Sequence, residues 1–527
     1  MQYLRPEWTK GRSLSAKGQT KAILFQLLEG VSTFYEAEAA EVVQCLLDTP
    51  VWGKVDLEEA NARTGIHLES LEAFFEDLLG QGVVMTERPS EQEIRMWRKK
   101  VGEHRKQDLS RRYQVRQSEE EVRKKLPFIV EEPENAYFTW LEENHVPGVV
   151  MFELTYNCNE MCVHCFNPGA ARNVDEKSTR IKREEIGLED YKRLIADLEE
   201  MGVVKVILTG GDPFVKPHIW DLLDELSKTN MVFDIYTNGL ALLGRVEKVA
   251  TKWPLSVGFS IYSARPEDHN AITRVPKSLE KSLRVIGEAA EWGIPMFFKC
   301  PIMMHNAKSY HEVDELASRY GAIAQIDASL TDAIDGDMAI GEQLQVKGDL
   351  LELILRDPNV PLYVGKELPD FGRQTRNRQE AFCGAGTMLM NISPEGDIGP
   401  CNSFPTRFGN VKERTFKQVW DNNKELKDWQ AIVIDDYEEC GTHDRCGYCN
   451  RCPGQSFIEH GTPLKASSQN CAIATTRMEL AKSLEAGDDP LAGRTLEEAL
   501  NSFDAPSAEE LTIQSDKREN HRNSEWN

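Results

Sequence analysis

The chain has 527 residues, of which 40% are hydrophobic, and this is enough for roughly two to four domains with ordinary cores. Its formal net charge of −24 argues against nucleic acid or an anionic membrane as the main partner. The first residues lack the apolar segment of a signal peptide, and no stretch has the apolar length of a membrane span, so we expect a cytoplasmic protein.

Residues 1–90 are predicted to form a small domain. Residues 21–35 are typical of a hairpin, and residues 36–50 of a helix that ends before a proline. Residues 68–79 carry their leucines and phenylalanines on one helical face, and residues 83–87 predict a short strand. A few strands and two or three helices in this order favour a winged-helix module.

The charge of this module indicates what kind of partner it binds. Residues 17–88 contain 5 Lys and Arg against 13 Asp and Glu, which favours a protein or peptide partner over DNA. The following segment, 91–145, is dense in Lys, Arg and Glu between about 90 and 125, and we interpret it as a solvated helical linker.

Residues 146–335 alternate between short apolar, β-rich segments and helical patterns. Six such segments predict a parallel sheet or partial barrel, since a closed barrel of this type needs eight. The segments are 149–155, 203–209, 231–237, 255–262, 294–300 and 323–328.

Residues 336–480 become rich in loops and cysteine, which predicts a domain stabilised by metal rather than by a large core. Residues 481–527 are polar and acidic with little periodicity, and we predict a disordered tail.

Ten of the twelve cysteines fall into two groups that point to iron–sulfur clusters. Cys158, Cys162 and Cys165 form the motif CNEMCVHC directly after the first apolar segment. A [4Fe–4S] cluster takes four thiolates, so three leave one iron open. Zinc sites and disulfides are the alternatives. The later seven would complete one cluster and give a second set of three; they are Cys383, Cys401, Cys440, Cys446, Cys449, Cys452 and Cys471.

A CX3CX2C motif after the first strand of a six-unit α/β barrel resembles the radical S-adenosylmethionine (SAM) superfamily. The resemblance implies that SAM binds the open iron and that its reductive cleavage yields a 5′-deoxyadenosyl radical. Asp212 replaces the usual Glu, and His164 stands at a usually apolar aromatic position. The implied SAM-binding residues, at strand ends, are Gly210, Gly211, Asp212, Pro213, Asn238, Ser260 and Lys299. The two glycines are expected to let the backbone approach a ligand closely.

The later cysteines resemble the SPASM extension of this superfamily. The resemblance assigns one auxiliary cluster to Cys440, Cys446, Cys449 and Cys471. A second cluster, with an open iron, falls to Cys383, Cys401 and Cys452. His443 occupies a position that is usually a ligand, so either Cys446 or His443 supplies that contact.

The N-terminal module resembles the leader-peptide recognition element of ribosomal-peptide maturation systems, which binds an extended leader as an added strand. Together the resemblances imply a maturase that forms a thioether or C–C cross-link in a precursor peptide, with flavodoxin or ferredoxin as reductant. The alternatives are a peptide epimerase with a nearby thiol such as Cys300, a sulfatase-type or haem-pathway enzyme, and a non-enzymatic iron–sulfur regulator.

Overall fold

The structure is a computed structural model of the chain. It describes residues 2–115, 132–170, 184–361, 363–365, 381, 383–440, 442–449, 451–504, 511 and 513. The central part of the predicted linker and most of the predicted disordered tail therefore lie outside the described residues. Within the described ranges, no helix has the length and apolar character needed to cross a membrane.

The N-terminal module combines an antiparallel sheet with three helices, as expected of the predicted winged-helix module, although its first strand and second helix are not among the predicted elements. The sheet contains β1 (Thr9–Ala16), β2 (Gln19–Gln26) and β3 (Val31–Glu36) in that order. The helices are α1 (Ala37–Asp48), α2 (Leu57–Thr64) and α3 (Leu68–Gly80). The strand predicted at 83–87 is wrong: Met85 forms only an isolated bridge with Leu4. Alternation along β2 sends Leu24 to the helices and Phe25 to the opposite face.

The central sheet has nine strands in the order β12-β11-β10-β4-β5-β6-β7-β8-β9, of which β10 (Leu389–Ile392), β11 (Asp397–Gly399) and β12 (Gly409–Asn410) come from the cysteine-rich region. All six predicted parallel strands are present: β4 (Val149–Glu153), β5 (Lys205–Thr209), β6 (Val232–Thr237), β7 (Ser256–Ser260), β8 (Met296–Pro301) and β9 (Ala322–Asp327). The helices between them are α6 (Leu188–Met201), α7 (Ile219–Ser227), α8 (Val246–Ala250), α9 (Pro266–Thr273), α10 (Ser278–Glu291) and α11 (Glu312–Tyr320). Because the strands are parallel, their carboxyl ends form one edge, where ligands bind in such sheets.

The cysteine-rich region extends this same sheet. β10 (Leu389–Ile392) pairs in parallel with β4, and β11 (Asp397–Gly399) and β12 (Gly409–Asn410) follow antiparallel. The helices of this region are α12 (Gly348–Ile354), α13 (Phe416–Asn422), α14 (Lys424–Gln430), α15 (Pro453–His460), α16 (Ser468–Ala486) and α17 (Leu496–Ser502).

The prediction that disorder begins at residue 481 is therefore wrong for the part up to 504. Thr495 and Glu498 form a capping box at the start of α17, and Leu500 is fully buried in the main core. A single buried leucine in a short acidic helix leaves little periodicity for a sequence pattern to show.

The predicted linker begins as α4 (Glu91–Val115), continues outside the described residues, and ends in α5 (Glu132–Glu143). A solvated spacer is wrong for α4. Arg98 is 5% exposed, donates hydrogen bonds to the backbone oxygens of Trp292 and Ala250, and lies 4.2 Å from the ring centroid of Trp253. The helix is thus docked on the barrel through its cations.

The N-terminal module is fixed to the barrel by the edge of β1. Arg12 makes two hydrogen bonds to the carboxylate of Glu199, at 2.8 and 2.5 Å, and a third to the backbone oxygen of Val203. Gly11 N–H donates to the backbone oxygen of Asn230. Because β1 is occupied in this way, β3 is the edge of this sheet that has no strand partner among the described residues.

Candidate active site and iron–sulfur sites

The first cysteine motif lies in the loop after β4, at the carboxyl edge of the sheet. Cys158 Sγ accepts hydrogen bonds from Glu160 N–H at 3.4 Å and from Asn238 Nδ2 at 3.5 Å. Burial, and then the Glu160 carboxylate and the other two thiols, raise the pKa of Cys162 well above its usual value. Cys162 is therefore a neutral thiol at pH 7, and metal binding would release its proton.

The chemistry of these donors fits a cluster site. Cys158 and Cys165 lie near enough to Cys162 to raise its pKa, and the Glu160 N–H donates to Cys158 Sγ. Across the described ranges, no three Cys, His, Asp or Glu side chains meet in the compact arrangement of a single-ion site. Thiolates that bind different irons of one cluster stand further apart than the ligands of a single ion, so the two observations agree. All twelve cysteines are free thiols.

The two glycines after β5 let two loops of the chain approach each other closely. A Cβ at Gly210 would lie 2.4 Å from the backbone oxygen of Thr155, and one at Gly211 would lie 2.1 Å from that of Asn157. Gly211 N–H also donates to the Thr155 oxygen. The glycines therefore let the loop after β5 pack on the backbone that leads into the cysteine motif.

Asp212 is fully buried, and both of its carboxylate oxygens already have protein partners. Oδ1 accepts from Phe214 N–H at 2.9 Å, and Oδ2 accepts from the Thr237 hydroxyl at 2.6 Å and from Asn238 N–H at 3.0 Å. Burial is the main cause that raises the pKa of Asp212. The carboxylate thus joins the ends of β5 and β6 and holds Asn238, which contacts Cys158.

Ser260 and Lys299 are paired in register at the ends of β7 and β8. The Lys299 ammonium lies 3.6 Å from the ring centroid of Tyr236, and burial lowers the pKa of Lys299 to about 8. Two residues after Ser260, the hydroxyl of Tyr262 lies 3.8 Å from Cys162 Sγ. Ser260 is therefore close in sequence to a residue that contacts the first cysteine motif.

Beside this site lie the half-buried His164 and the buried Cys300. The imidazole of His164 packs edge-on to Tyr262 with ring centroids 4.6 Å apart, and burial lowers its pKa to about 3. Cys300 is fully buried, and its thiol donates to the backbone oxygen of Tyr262 at 3.4 Å. A thiol that is buried and hydrogen-bonded in this way packs as a core group, which disfavours Cys300 as the hydrogen donor of an epimerase.

Cys383, Cys401 and Cys452 come together where the cysteine-rich region meets the sheet. Burial raises the pKa of Cys401, and Cys452 and Cys383 raise it further, so the three are neighbours. Cys452 is the N-cap of α15 and accepts from Gln455 N–H at 3.4 Å. A helix N-terminus favours a thiolate, which suits an iron ligand.

The other four cysteines form a second group beside α16. Burial raises the pKa of Cys449 to about 12, with further contributions from Cys471, Cys440 and Cys446. Four cysteines, Cys452 among them, line a small cavity together with Arg451 and Lys465; they are Cys440, Cys449, Cys452 and Cys471. His443 is exposed to solvent, whereas Cys446 lies within the group.

Sequence reasoning did not identify how these sites are connected. Tyr262 contacts Cys162 and follows the predicted Ser260 by two positions, the spacing at which side chains of a strand share a face. Asp332 is 1% exposed and accepts from Gln455 Nε2 at 2.7 Å, so it joins the barrel to the helix that begins after Cys452. That contact spans 123 residues and leaves no local signal.

Comparisons with known proteins agree with this arrangement. The Radical SAM superfamily profile matches residues 152–319, and the SPASM iron–sulfur cluster-binding domain matches residues 383–453. Mycofactocin maturase MftC of Mycobacterium tuberculosis is 28% identical over 357 residues, which are 64% of this chain and 85% of the relative. PqqA peptide cyclase of Xanthomonas oryzae is 25% identical over 293 residues, 53% of this chain and 75% of the relative.

Among solved structures, Streptococcus suis SuiB bound to the precursor peptide SuiA superimposes with a TM-score of 0.52. The alignment covers 89% of this chain and 100% of SuiB at 15% identity, which is a similarity of fold. The first cysteine motif lies within the radical SAM match. The later seven cysteines lie within the SPASM match, except for Cys471, which follows it. The chain therefore contains a radical SAM domain and, after it, an iron–sulfur cluster-binding SPASM domain.

Proposed function

We propose that this protein is a radical SAM/SPASM maturase that modifies a ribosomally made precursor peptide. The observation that carries the proposal is that the first cysteine motif and the cysteine-rich region belong to one continuous nine-stranded sheet. The N-terminal module is fixed beside this sheet by the contacts of Arg12. The peptide-maturing relatives, MftC and PqqA peptide cyclase, support the same reaction class.

In this proposal Cys158, Cys162 and Cys165 hold the cluster that binds SAM. When bound, the cluster and SAM supply a 5′-deoxyadenosyl radical that abstracts a hydrogen atom. The chain positions this chemistry: Asn238 donates to Cys158, and the buried Tyr262 covers Cys162. Burial of this kind excludes water from a reactive radical.

We assign SAM contacts to the strand-end residues around this loop. In this assignment the SAM-binding edge is lined by the backbone of Gly210, Gly211 and Pro213 and by the side chains of Asn238 and Ser260. Lys299, with its charge poised near pH 8, is the proposed partner of the SAM carboxylate. Asp212 acts as a positioning residue, because its oxygens are already satisfied by Phe214, Thr237 and Asn238.

Two auxiliary [4Fe–4S] clusters are proposed in the SPASM domain. Cys440, Cys446, Cys449 and Cys471 would hold one, and Cys383, Cys401 and Cys452 the other. Their mutual influence on pKa supports this division, with Cys446 rather than the exposed His443 as the ligand. Cross-linking two residues removes two hydrogen atoms from the peptide, so additional redox centres suit a thioether or C–C bond. The redox-neutral epimerase is disfavoured, since Cys300 is buried and hydrogen-bonded.

The leader of the precursor is proposed to add as a strand to β3. Tyr35 on β3 packs edge-on against Phe74 of α3 at 5.8 Å, and Leu68 at the start of α3 is 43% exposed. An edge strand next to partly exposed apolar side chains is the arrangement that extended peptides use. A flavodoxin or ferredoxin in the cytoplasm would supply the electrons, since thiols devoted to clusters need a reducing compartment.

The test is a mass measurement. The cluster-loaded protein, SAM and a reductant are incubated with candidate precursor peptides, and each product is analysed by tandem mass spectrometry. The proposal predicts a product that has lost two hydrogen atoms, with the loss mapped to two residues. A product of unchanged mass but inverted stereochemistry would instead identify an epimerase, and an unmodified peptide with every candidate would contradict the maturase function.

A further inference from the structure

Two arginines lie beside one of the proposed auxiliary cluster sites. We call this site the four-cysteine group; it consists of Cys440, Cys446, Cys449 and Cys471. Arg451 lines one cavity with three of these cysteines. Arg477 belongs to α16, the helix that also carries Cys471, and is 3% exposed. A guanidinium has no lone pair to offer to iron, so these residues can act on a cluster only through their charge and their hydrogen bonds.

The backbone holds Arg477 against the four-cysteine group. Its guanidinium donates hydrogen bonds to the backbone oxygens of Tyr448, at 3.3 Å, and Pro361, at 3.4 Å. Tyr448 directly precedes Cys449 in the chain. Burial lowers the pKa of Arg477, whereas the negative charges of Asp327 and Cys449 raise it. A thiolate at Cys449 therefore stabilises the buried cation, and the cation stabilises the thiolate.

Arg451 acts on two of the cysteines through its charge. Burial raises the pKa of Cys440 and of Cys449, and the guanidinium of Arg451 opposes this effect at both thiols. Arg451 is half-buried, so solvent screens its charge only in part. Lys465 lines the same cavity but is exposed to solvent, where screening is stronger.

Carboxylates act on the other proposed auxiliary site, the three-cysteine group of Cys383, Cys401 and Cys452. Burial is the main cause that raises the pKa of each of these thiols, and a carboxylate adds to it at each one. The carboxylates are Glu142 for Cys383, Glu153 for Cys401 and Glu459 for Cys452. Negative neighbours make the reduction of a cluster harder, whereas the two arginines of the four-cysteine group make it easier.

The number of thiolates explains why cations are needed at one group in particular. Reduction makes a cluster more negative, so its net charge helps to set its reduction potential. A cluster on four thiolates carries one more negative charge than the same cluster on three, and this difference by itself disfavours reduction. Arg451 and Arg477 lie where they offset that extra charge.

We propose that Arg451, together with Arg477, raises the reduction potential of the cluster on the four-cysteine group, so that this cluster can take the electron released by peptide cross-linking. The inference rests on the proposed function, which assigns the cluster and the cross-link. In that reaction, abstraction of one hydrogen atom from the peptide yields 5′-deoxyadenosine. Formation of the new bond then releases one proton to solvent and one electron to the iron–sulfur cluster, which is reduced.

The test is an anaerobic redox titration of the full-length, cluster-loaded protein, followed by EPR spectroscopy. The parent protein carries Cys158→Ala, Cys162→Ala and Cys165→Ala, so that every signal comes from the later seven cysteines. Adding Arg451→Gln should make one cluster about tenfold harder to reduce, which lowers its midpoint potential by about 59 mV. Arg451→Lys keeps the charge and should titrate like the parent. Lys465→Gln removes an exposed charge and should change the potential much less.

Equal midpoint potentials in the parent and the Arg451→Gln protein would overturn the proposal. A shift in Arg451→Lys as large as that in Arg451→Gln would also overturn it, because charge would not be the cause. Loss of bound iron in Arg451→Gln would do the same, since the residue would then serve cluster assembly. If the maturase function failed instead, the wild type would modify no peptide, while the difference in potential would persist.

Discussion

Asp212→Asn tests the role of the buried carboxylate in positioning the active-site loops. The asparagine keeps the shape, but its amide presents an acceptor on one side only, so either Phe214 N–H or Asn238 N–H loses its partner. A buried, unsatisfied donor costs about 1–3 kcal/mol. The wild-type carboxylate also carries a burial penalty, visible in its raised pKa, so we expect a loss of about 2 kcal/mol in the free energy of unfolding.

Thr237→Val is the matched control, because it removes the 2.6 Å hydrogen bond from the other side. It also removes the acceptor of Gly239 N–H, so a loss of about 2 kcal/mol is expected here as well. The double variant should lose less than the sum, since the two side chains share one interaction. Urea unfolding followed by tryptophan fluorescence measures all four proteins.

SAM binding separates positioning from direct contact. If Asp212 acts through Asn238, the Kd for SAM, measured by calorimetry on the cluster-loaded protein, should rise in both single variants together. The reasoning is refuted if Asp212→Asn unfolds like the wild type but binds SAM weakly, while Thr237→Val binds SAM normally. That outcome would mean that the carboxylate itself contacts SAM.

Three further predictions test separate parts of the account. Arg98→Ala should lower the free energy of unfolding by about 3 kcal/mol, because two charge-assisted hydrogen bonds and a cation–π contact are lost. The control Lys99→Ala, on the exposed face of the helix, should change it by less than about 0.5 kcal/mol. Cys446→Ser should reduce bound iron by about one third, and His443→Ala should leave the iron content unchanged, as measured by a colorimetric iron assay. Lys299 has a lowered pKa, so the unfolded chain binds its proton more tightly and stability should rise between about pH 8 and its ordinary pKa of 10.5. In Lys299→Met that rise should disappear from unfolding curves collected across this range, and an unchanged rise would contradict the burial of Lys299.

The six parallel strands and the helices between them could be predicted because their apolar patterns are local and strong. β10 could not, since Leu389–Ile392 pairs with a strand more than two hundred residues earlier, and pairing between distant segments leaves no mark in either sequence. The docking of α4 was hidden for another reason. Its buried cation, Arg98, is satisfied by backbone oxygens, whereas patterns of charge predict solvent exposure.

In the site, the types of the functional residues could be predicted from the sequence, whereas the contacts between them could not. The spacing of Cys158, Cys162 and Cys165 identified the ligands of the proposed cluster, because thiol chemistry is carried by residue type. The roles of Gly210, Gly211 and Asp212 depend on which backbone they contact, and that contact belongs to the fold. Ile513 is the clearest case: as one of two aliphatic residues in a polar segment it belongs to no periodic pattern, yet it is buried in one cluster with Val163 and Tyr262.

The most direct test of the central claim is SAM cleavage by the anaerobically reconstituted protein. We would compare the wild type with a Cys158→Ala, Cys162→Ala, Cys165→Ala variant that keeps the later seven cysteines, and measure 5′-deoxyadenosine after adding dithionite, SAM and candidate precursor peptides. The account predicts 5′-deoxyadenosine from the wild type and none from the variant, with the iron of the SPASM domain retained in both. Equal amounts from both proteins, or none from an iron-loaded wild type with every peptide, would contradict it.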